Sequence, residues 1–196
     1  MAAHREIRAD FDRESVVMYQ AYDDAIADAA LAAGTFVAPF SLRRMTWIKP
    51  SFLWLMERSA WGRSRGQTRL LAVRISRAGF HEALSRATLT EYEPTLHGAR
   101  EQWRAAFESA AVHVQWDPER SLRGEKLPHR SIQVGLGREV IEGFVRSWVV
   151  GLEDLTARAQ KIRRLRDEGQ VSRARRLLPP ERVYPLDAAL ARRLGM

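Results

Sequence analysis

The chain has 196 residues, is 45% hydrophobic and 9% aromatic, and carries a formal net charge of +8, supplied almost wholly by arginine. That is enough apolar material for one domain with a real core, and it excludes a disordered chain. No run approaches the ~20 apolar residues that span a bilayer, the N-terminus MAAHREIRADFD has no apolar signal segment, and the absence of cysteine removes disulfides, thiol nucleophiles and thiolate metal sites. A cytoplasmic protein with no membrane partner is therefore expected.

Arginine binds phosphate bidentately and stacks on bases, so the charge points to a nucleic acid or nucleotide partner. A genomic arginine bias would give the same composition.

In chain order, HREIRADFD (4–12) reads as a charged, solvated arm and VVMYQAY as a strand. Asp23 or Asp24 caps the helix AIADAALAAG, which Gly34 ends. TFVAPFSL (35–42) reads as a short strand broken by Pro39.

The stretch RRMTWIKPSFLWLMERSAWG (43–62) sets Arg43, Arg44, Thr46 and Lys49 ahead of a strongly apolar helix. Pro50 suits the first turn of that helix, and its free N–H groups favour an anion. A helix apolar on most sides is usually buried, so Trp54 and Met56 are expected in the core.

RLLAVRIS (69–76) is the clearest strand, with Leu71, Val73 and Ile75 alternating, and a helix follows over about 78–87. AREQWRAAFESAA reads as a helix with Trp103 and Phe107 on one face. AVHVQWDPER reads as a strand ended by Pro118, with His113, Gln115 and Asp117 on one face and Trp116 at least half buried on the other. RSIQVGLG is a further strand, and a helix is expected over about 139–154. Residues 156–182 carry nine basic and three acidic residues and read as two charged helices split near Gly169. A short extended piece and a final helix close the chain.

Strands and helices mix without a βαβ rhythm. This predicts an α+β fold: a single domain with a mostly antiparallel sheet flanked by helices, a core over 1–157 and a basic helical extension over 158–196 packed on it.

Familiar catalytic loops are absent, and the five histidines lack metal-ligand spacing, so no metal is expected. Two polar strand faces remain: His113, Gln115, Asp117 and Glu119, and Arg130, Ser131 and Gln133. If these strands pair, a carboxylate would meet the cations of the central stretch, where it could stabilise an oxocarbenium-like ribose. A capped turn at DPER is the plainer reading.

REIRADFD with VVMYQAY, MTWIKPSFLWLMERSAWG, VHVQWDPER and LPHRSIQVGL, in this order, resemble the family catalogued as domain of unknown function 4291, over nearly the whole chain. That resemblance carries no activity with it. A shorter pattern (Arg44, Met45, Thr46, a helix from Ser51, then Gly62) is similar to the first NAD-contacting motif of ADP-ribosyltransferases. Gln115-Trp116-Asp117 is similar to their Gln-x-Glu element, with Asp in place of Glu and Glu119 two residues on.

This second resemblance implies an ADP-ribosyltransferase-like fold using NAD as co-substrate to modify a nucleic acid or nucleotide. Arg44 would hold the pyrophosphate. Thr46 and Ser51 would contact the nicotinamide side or ribose, with Lys49 close by. Asp117 or Glu119 would stabilise the ribosyl cation, and Arg130 and Gln133 would complete the polar wall. The alternatives are a non-catalytic RNA-binding module, using Arg163, Arg164, Arg173 and Arg176 on backbone phosphates, and a structural protein whose charged helices meet an acidic partner.

Overall fold

Two sheets meet beside the strand β2, Ser15–Tyr22, whose first six residues are all buried. The computed structural model describes residues 5–196. Strand β2 pairs antiparallel with β4, Arg69–Ser76, and β4 pairs antiparallel with β8, Val149–Asp154. The second sheet runs β3 (Thr46–Ile48), β7 (Lys126–Leu136), β6 (Val112–Arg120) and β5 (Ala87–Leu89). Its contacts are antiparallel except β5 with β6. One bridge joins the sheets: the Tyr19 amide donates to the Lys49 carbonyl at 2.6 Å.

Helices flank both sheets. Helix α1, Asp24–Ala33, is capped by the Asp23 carboxylate on the Ile26 amide and ended by Gly34 at φ 73°. Helix α2, Phe52–Arg58, is capped by Ser51, so Pro50 stands outside the helix rather than in its first turn. Next come α3, Arg77–Ser85, the single turn α4, Pro94–His97, α5, Arg100–Glu108, and α6, Arg138–Gly143. Helices α7, Thr156–Asp167, α8, Val171–Arg175, and α9, Ala188–Arg193, lie in the C-terminal part. No helix among the described residues is long and apolar enough to cross a membrane.

Two apolar cores result. The larger gathers Val16, Met18, Val73, Ile75, Val114, Trp116, Ile132 and Val134 with α3 and α6. The smaller lies on the other face of β2, where Tyr19 packs with Phe52, Leu55, Met56 and Trp61 and with Ala159, Ile162, Leu165 and Ala174 of α7 and α8.

Several elements differ from the sequence reading. The N-terminal arm is docked rather than solvated: Ile7 and Ala9 are fully buried, and β1, Arg8–Ala9, pairs with β9, Arg182–Val183. His4 lies outside the described residues. Residues 35–42 form turns rather than a strand, and Phe36 and Phe40 fold back onto Tyr22. Pro118 does not end β6, because a bulge between Pro118 and Arg120 carries the strand past it. The helix expected over 139–154 stops at Gly143, passes through a π turn at Phe144–Trp148 and becomes β8. The second edge of β4 supplies the hydrogen-bond partners that favour strand there.

Candidate functional site

A cleft of about 680 Å³ opens where the two sheets part. Its walls come from five places: the end of β2 (Gln20, Tyr22), β3 and Lys49, α2 (Trp54, Arg58), the loop residue Gln67, and the polar face of β6 and β7 (Gln115, Asp117, Gln133). Strand alternation explains the last group. Gln115 stands opposite Gln133 and Asp117 opposite Ser131 on one face, while Val114, Trp116, Ile132 and Val134 take the core face. Gly135 shapes the floor: a Cβ there would lie 2.8 Å from the Met45 sulfur and 3.0 Å from the Trp47 ring, so only glycine lets both lie over β7.

Asp117 is held by two amides. Gln115 Nε2 donates to its Oδ1 at 2.9 Å and Gln133 Nε2 to its Oδ2 at 2.7 Å. These bonds orient the carboxylate. Lys49 is the opposing charge. The residue is 9% exposed. Its Nζ makes one hydrogen bond, to the Trp47 carbonyl at 3.3 Å, and lies 5.4 Å from the Trp54 ring centroid. Burial pulls the ammonium down to about 8, Arg58 adds to the fall, and Asp117 opposes it.

The third wall is a proton network. Gln20 Nε2 lies 2.9 Å from Tyr22 Oη, 2.9 Å from Thr46 Oγ1 and 3.2 Å from the Trp47 carbonyl, and the two hydroxyls are 3.0 Å apart. Burial raises the Tyr22 phenol, so it stays protonated. One hydroxyl proton bonds the other hydroxyl, which leaves the second free to donate. Gln20 Oε1 and Gln67 Oε1 are buried acceptors with no partner. Sequence reasoning missed Gln20, Tyr22, Arg58 and Gln67. The one available signal was Gln20, an amide inside an otherwise apolar strand.

The other expected site residues lie elsewhere. Ser51 and Glu119 are buried behind α2: Ser51 Oγ donates to Glu119 Oε1 at 2.9 Å and accepts from the Trp54 amide at 3.1 Å. The bulge in β6 turns Glu119 away from the cleft, where its Oε1 also accepts from the Arg120 amide at 2.6 Å. Glu181 Oε1 accepts from the Phe52 amide at 2.7 Å. Burial pushes that carboxyl up to about 8 against the Phe52 bond, and Glu119 adds to the rise. The start of α2, where the sequence predicts an anion, is therefore met by the protein's own carboxyl groups.

Arg44 sits on an exposed bend ahead of β3 and does not line the cleft. Arg130 pairs with Pro118 on the opposite face from Asp117, donates to the Trp116 carbonyl at 3.1 Å and ion-pairs with Glu91 at 3.6 Å. Trp54 is only partly buried and forms a cleft wall, whereas Met56 and Trp116 are core. Of the C-terminal arginines, Arg164, Arg173 and Arg176 are exposed on or beside α7 and α8, Arg163 is partly buried, and Arg173 is tied to Gln170.

The model of the domain of unknown function DUF4291 matches residues 6–184, and the chain belongs to that family. Among curated proteins, nothing matches.

Proposed function

We propose that the cleft binds NAD and that the protein transfers ADP-ribose from it to a nucleic acid or nucleotide acceptor. The observation that carries this reading is Asp117: a carboxylate fixed by two amides, in an open cleft, facing a buried lysine. The cleft volume falls within the ~300–1,000 Å³ of small-molecule sites. Lys49 and Arg58 are the cations available to a pyrophosphate, in place of Arg44. Trp47, Trp54 and Tyr22 offer aromatic surface, and the free hydroxyl of the Tyr22–Thr46 pair offers a donor to a carboxamide or ribose.

In the proposed step the bond from ribose C1′ to the nicotinamide nitrogen breaks, and nicotinamide leaves with the electron pair. The positive charge that develops on the ribose faces Asp117. The acceptor's nucleophile bonds C1′ and its proton passes to solvent. Gln115 and Gln133 act as positioning residues, because they aim the carboxylate without neutralising it.

Nicotinamide release from NAD, followed by chromatography, tests the reading. Asp117→Asn is expected to lower kcat by about 100-fold or more while NAD affinity stays close to wild type. NAD titration that leaves tryptophan fluorescence unchanged, together with no nicotinamide release, would sink it. Salt-dependent nucleic-acid binding with no NAD turnover would favour a non-catalytic binding module.

A further inference from the structure

The loop from α2 to β4 is built around Ser59, which is fully buried. Its hydroxyl donates to the Leu55 carbonyl at 2.8 Å, and its carbonyl accepts from the Arg63 and Ser64 amides at 3.1 Å each. Ala60 and Trp61 follow at φ 50° and 59°, then Gly62 at 75°. Two consecutive non-glycine residues in the left-handed region are strained, and such strain persists only where the surroundings impose it. Here it drives Trp61 inward, to 6% exposure, beneath the Arg166 guanidinium at 4.8 Å. The end of α7 thus abuts a rigid loop that leaves Arg63 and Arg65 exposed.

Several arginines elsewhere are paired: Arg69 with Asp28 and Asp154, Arg86 with Glu139, Arg130 with Glu91. Around this loop they are not. Among the described residues, no ion pair involves Arg58, Arg63, Arg65, Lys161, Arg163 or Arg164, and the ion pair in α7 is Arg166 with its neighbour Asp167. Arg163 Nε is buried with no partner. Cations outnumber the carboxylates Asp167 and Glu168 that share this face of α7, so the net potential is positive. Arg58 brings that charge to the cleft, which it lines.

We propose that this band binds the phosphate backbone of a single-stranded nucleic acid and leads one unpaired nucleotide to the cleft, an assignment of the acceptor that rests on the NAD reading. The evenly repeated charges of a strand match a row of unpaired cations. A base inside a duplex reaches a recessed site only by leaving its stack at an unstacking cost that a single strand does not carry, so a single strand is the favoured acceptor.

Fluorescence anisotropy with a labelled oligonucleotide of about 15 nucleotides, long enough to track such a groove, tests this in the absence of NAD. Arg63→Gln with Arg65→Gln, and separately Lys161→Gln with Arg164→Gln, should each reduce the slope of log affinity on log salt by about 1.4, or 0.7 per contact. All four side chains are at the surface, and unchanged thermal melting confirms that folding is intact. The single strand should bind more tightly than a hairpin duplex of the same length. Unchanged slopes in both variants, equal affinity for the duplex, or tighter binding of polyglutamate than of the oligonucleotide would overturn the proposal. Reduced slopes with no nicotinamide release would leave the band in place and remove only the chemistry proposed for the cleft.

Discussion

Lys49→Met separates a side chain kept for binding from one kept for folding. The ammonium ordinarily titrates near 10.5 and is pulled down to about 8. A fall of that size corresponds to roughly 3 kcal/mol by which the folded protein disfavours the charged form. The sign follows from proton counting. Between about 8 and 10.5 the unfolded chain binds more protons than the folded one, so stability rises with pH. The penalty is complete below about 8 and is relieved as pH climbs to 10.5. Methionine has nearly the same length and no charge to desolvate. Its introduction removes the penalty but also loses a hydrogen bond to Trp47 and the contact of the ammonium with the Trp54 face, worth ~1 kcal/mol each.

A net gain of about 1 kcal/mol at pH 7 is therefore expected, with loss of NAD binding. Urea denaturation across pH 7 to 10.5 measures the first, and tryptophan fluorescence titration the second. In the variant the rise in stability above pH 8 should disappear. A variant that is clearly less stable than wild type at pH 7, or that keeps the same rise above pH 8, would refute the view of Lys49 as an uncompensated buried charge.

Glu181 gives the mirror-image case. Its carboxyl is held at about 8 against an ordinary 4.5, so the folded chain keeps a proton that the unfolded chain has lost. Stability should fall between these values by up to ~1.4 kcal/mol per pH unit, and Glu181→Gln should flatten the fall in denaturant melts at pH 5 and pH 8. Trp54→Ala should cost about 1–2 kcal/mol rather than the ~3–5 of a fully buried aromatic, because the ring is a cleft wall; a core-sized loss in the same assay would place it in the core. Arg173→Gln should change the salt slope of oligonucleotide binding less than Arg164→Gln, because Arg173 is already tied to Gln170.

The elements legible in the sequence are those whose signals are local. Helix α1 has its Asp23 cap and its Gly34 stop, and β4 has clean alternation at Leu71, Val73 and Ile75. The misread elements depend on distant partners. VVGLED could continue a helix, and becomes β8 because β4 has a free edge. Pro118 would end an isolated strand, but a bulge accommodates it. The site divides in the same way. That Lys49, Asp117 and Gln133 share one cleft follows from strand parity plus pairing register, whereas Thr46, paired with Leu136 on the other parity, reaches the cleft from the end of β3. That Arg130 falls on the other face also follows from parity, but the register of β7 against β6 could not be read from either strand alone. The redirection of Glu119 by a bulge left no trace in the residue pattern.

That bulge also decides which carboxylate is free for chemistry. Asp117, Glu119 and Glu181 all belong to the region around α2, yet their partners differ in kind. Glu119 accepts from the Ser51 hydroxyl and the Arg120 amide inside the fold, and Glu181 closes the helix start on the Phe52 amide, so both are used by the structure. Asp117 accepts only from two side-chain amides, one on each oxygen. Each carboxylate oxygen has a further lone-pair direction, so both retain acceptor capacity toward the cleft. An arginine in place of either glutamine would have cancelled the charge, and a hydrophobic wall would have pushed the carboxyl toward its neutral form. Amide donors do not cancel its charge, and they fix the group's orientation toward the place where a cation would develop. Lys49 stands across the same cleft, where a bound pyrophosphate would relieve the cost of burying its charge. In the proposed reaction the two charges therefore serve opposite ends of one ligand, and the distance between them is held by β3 and β6 on either side of β7.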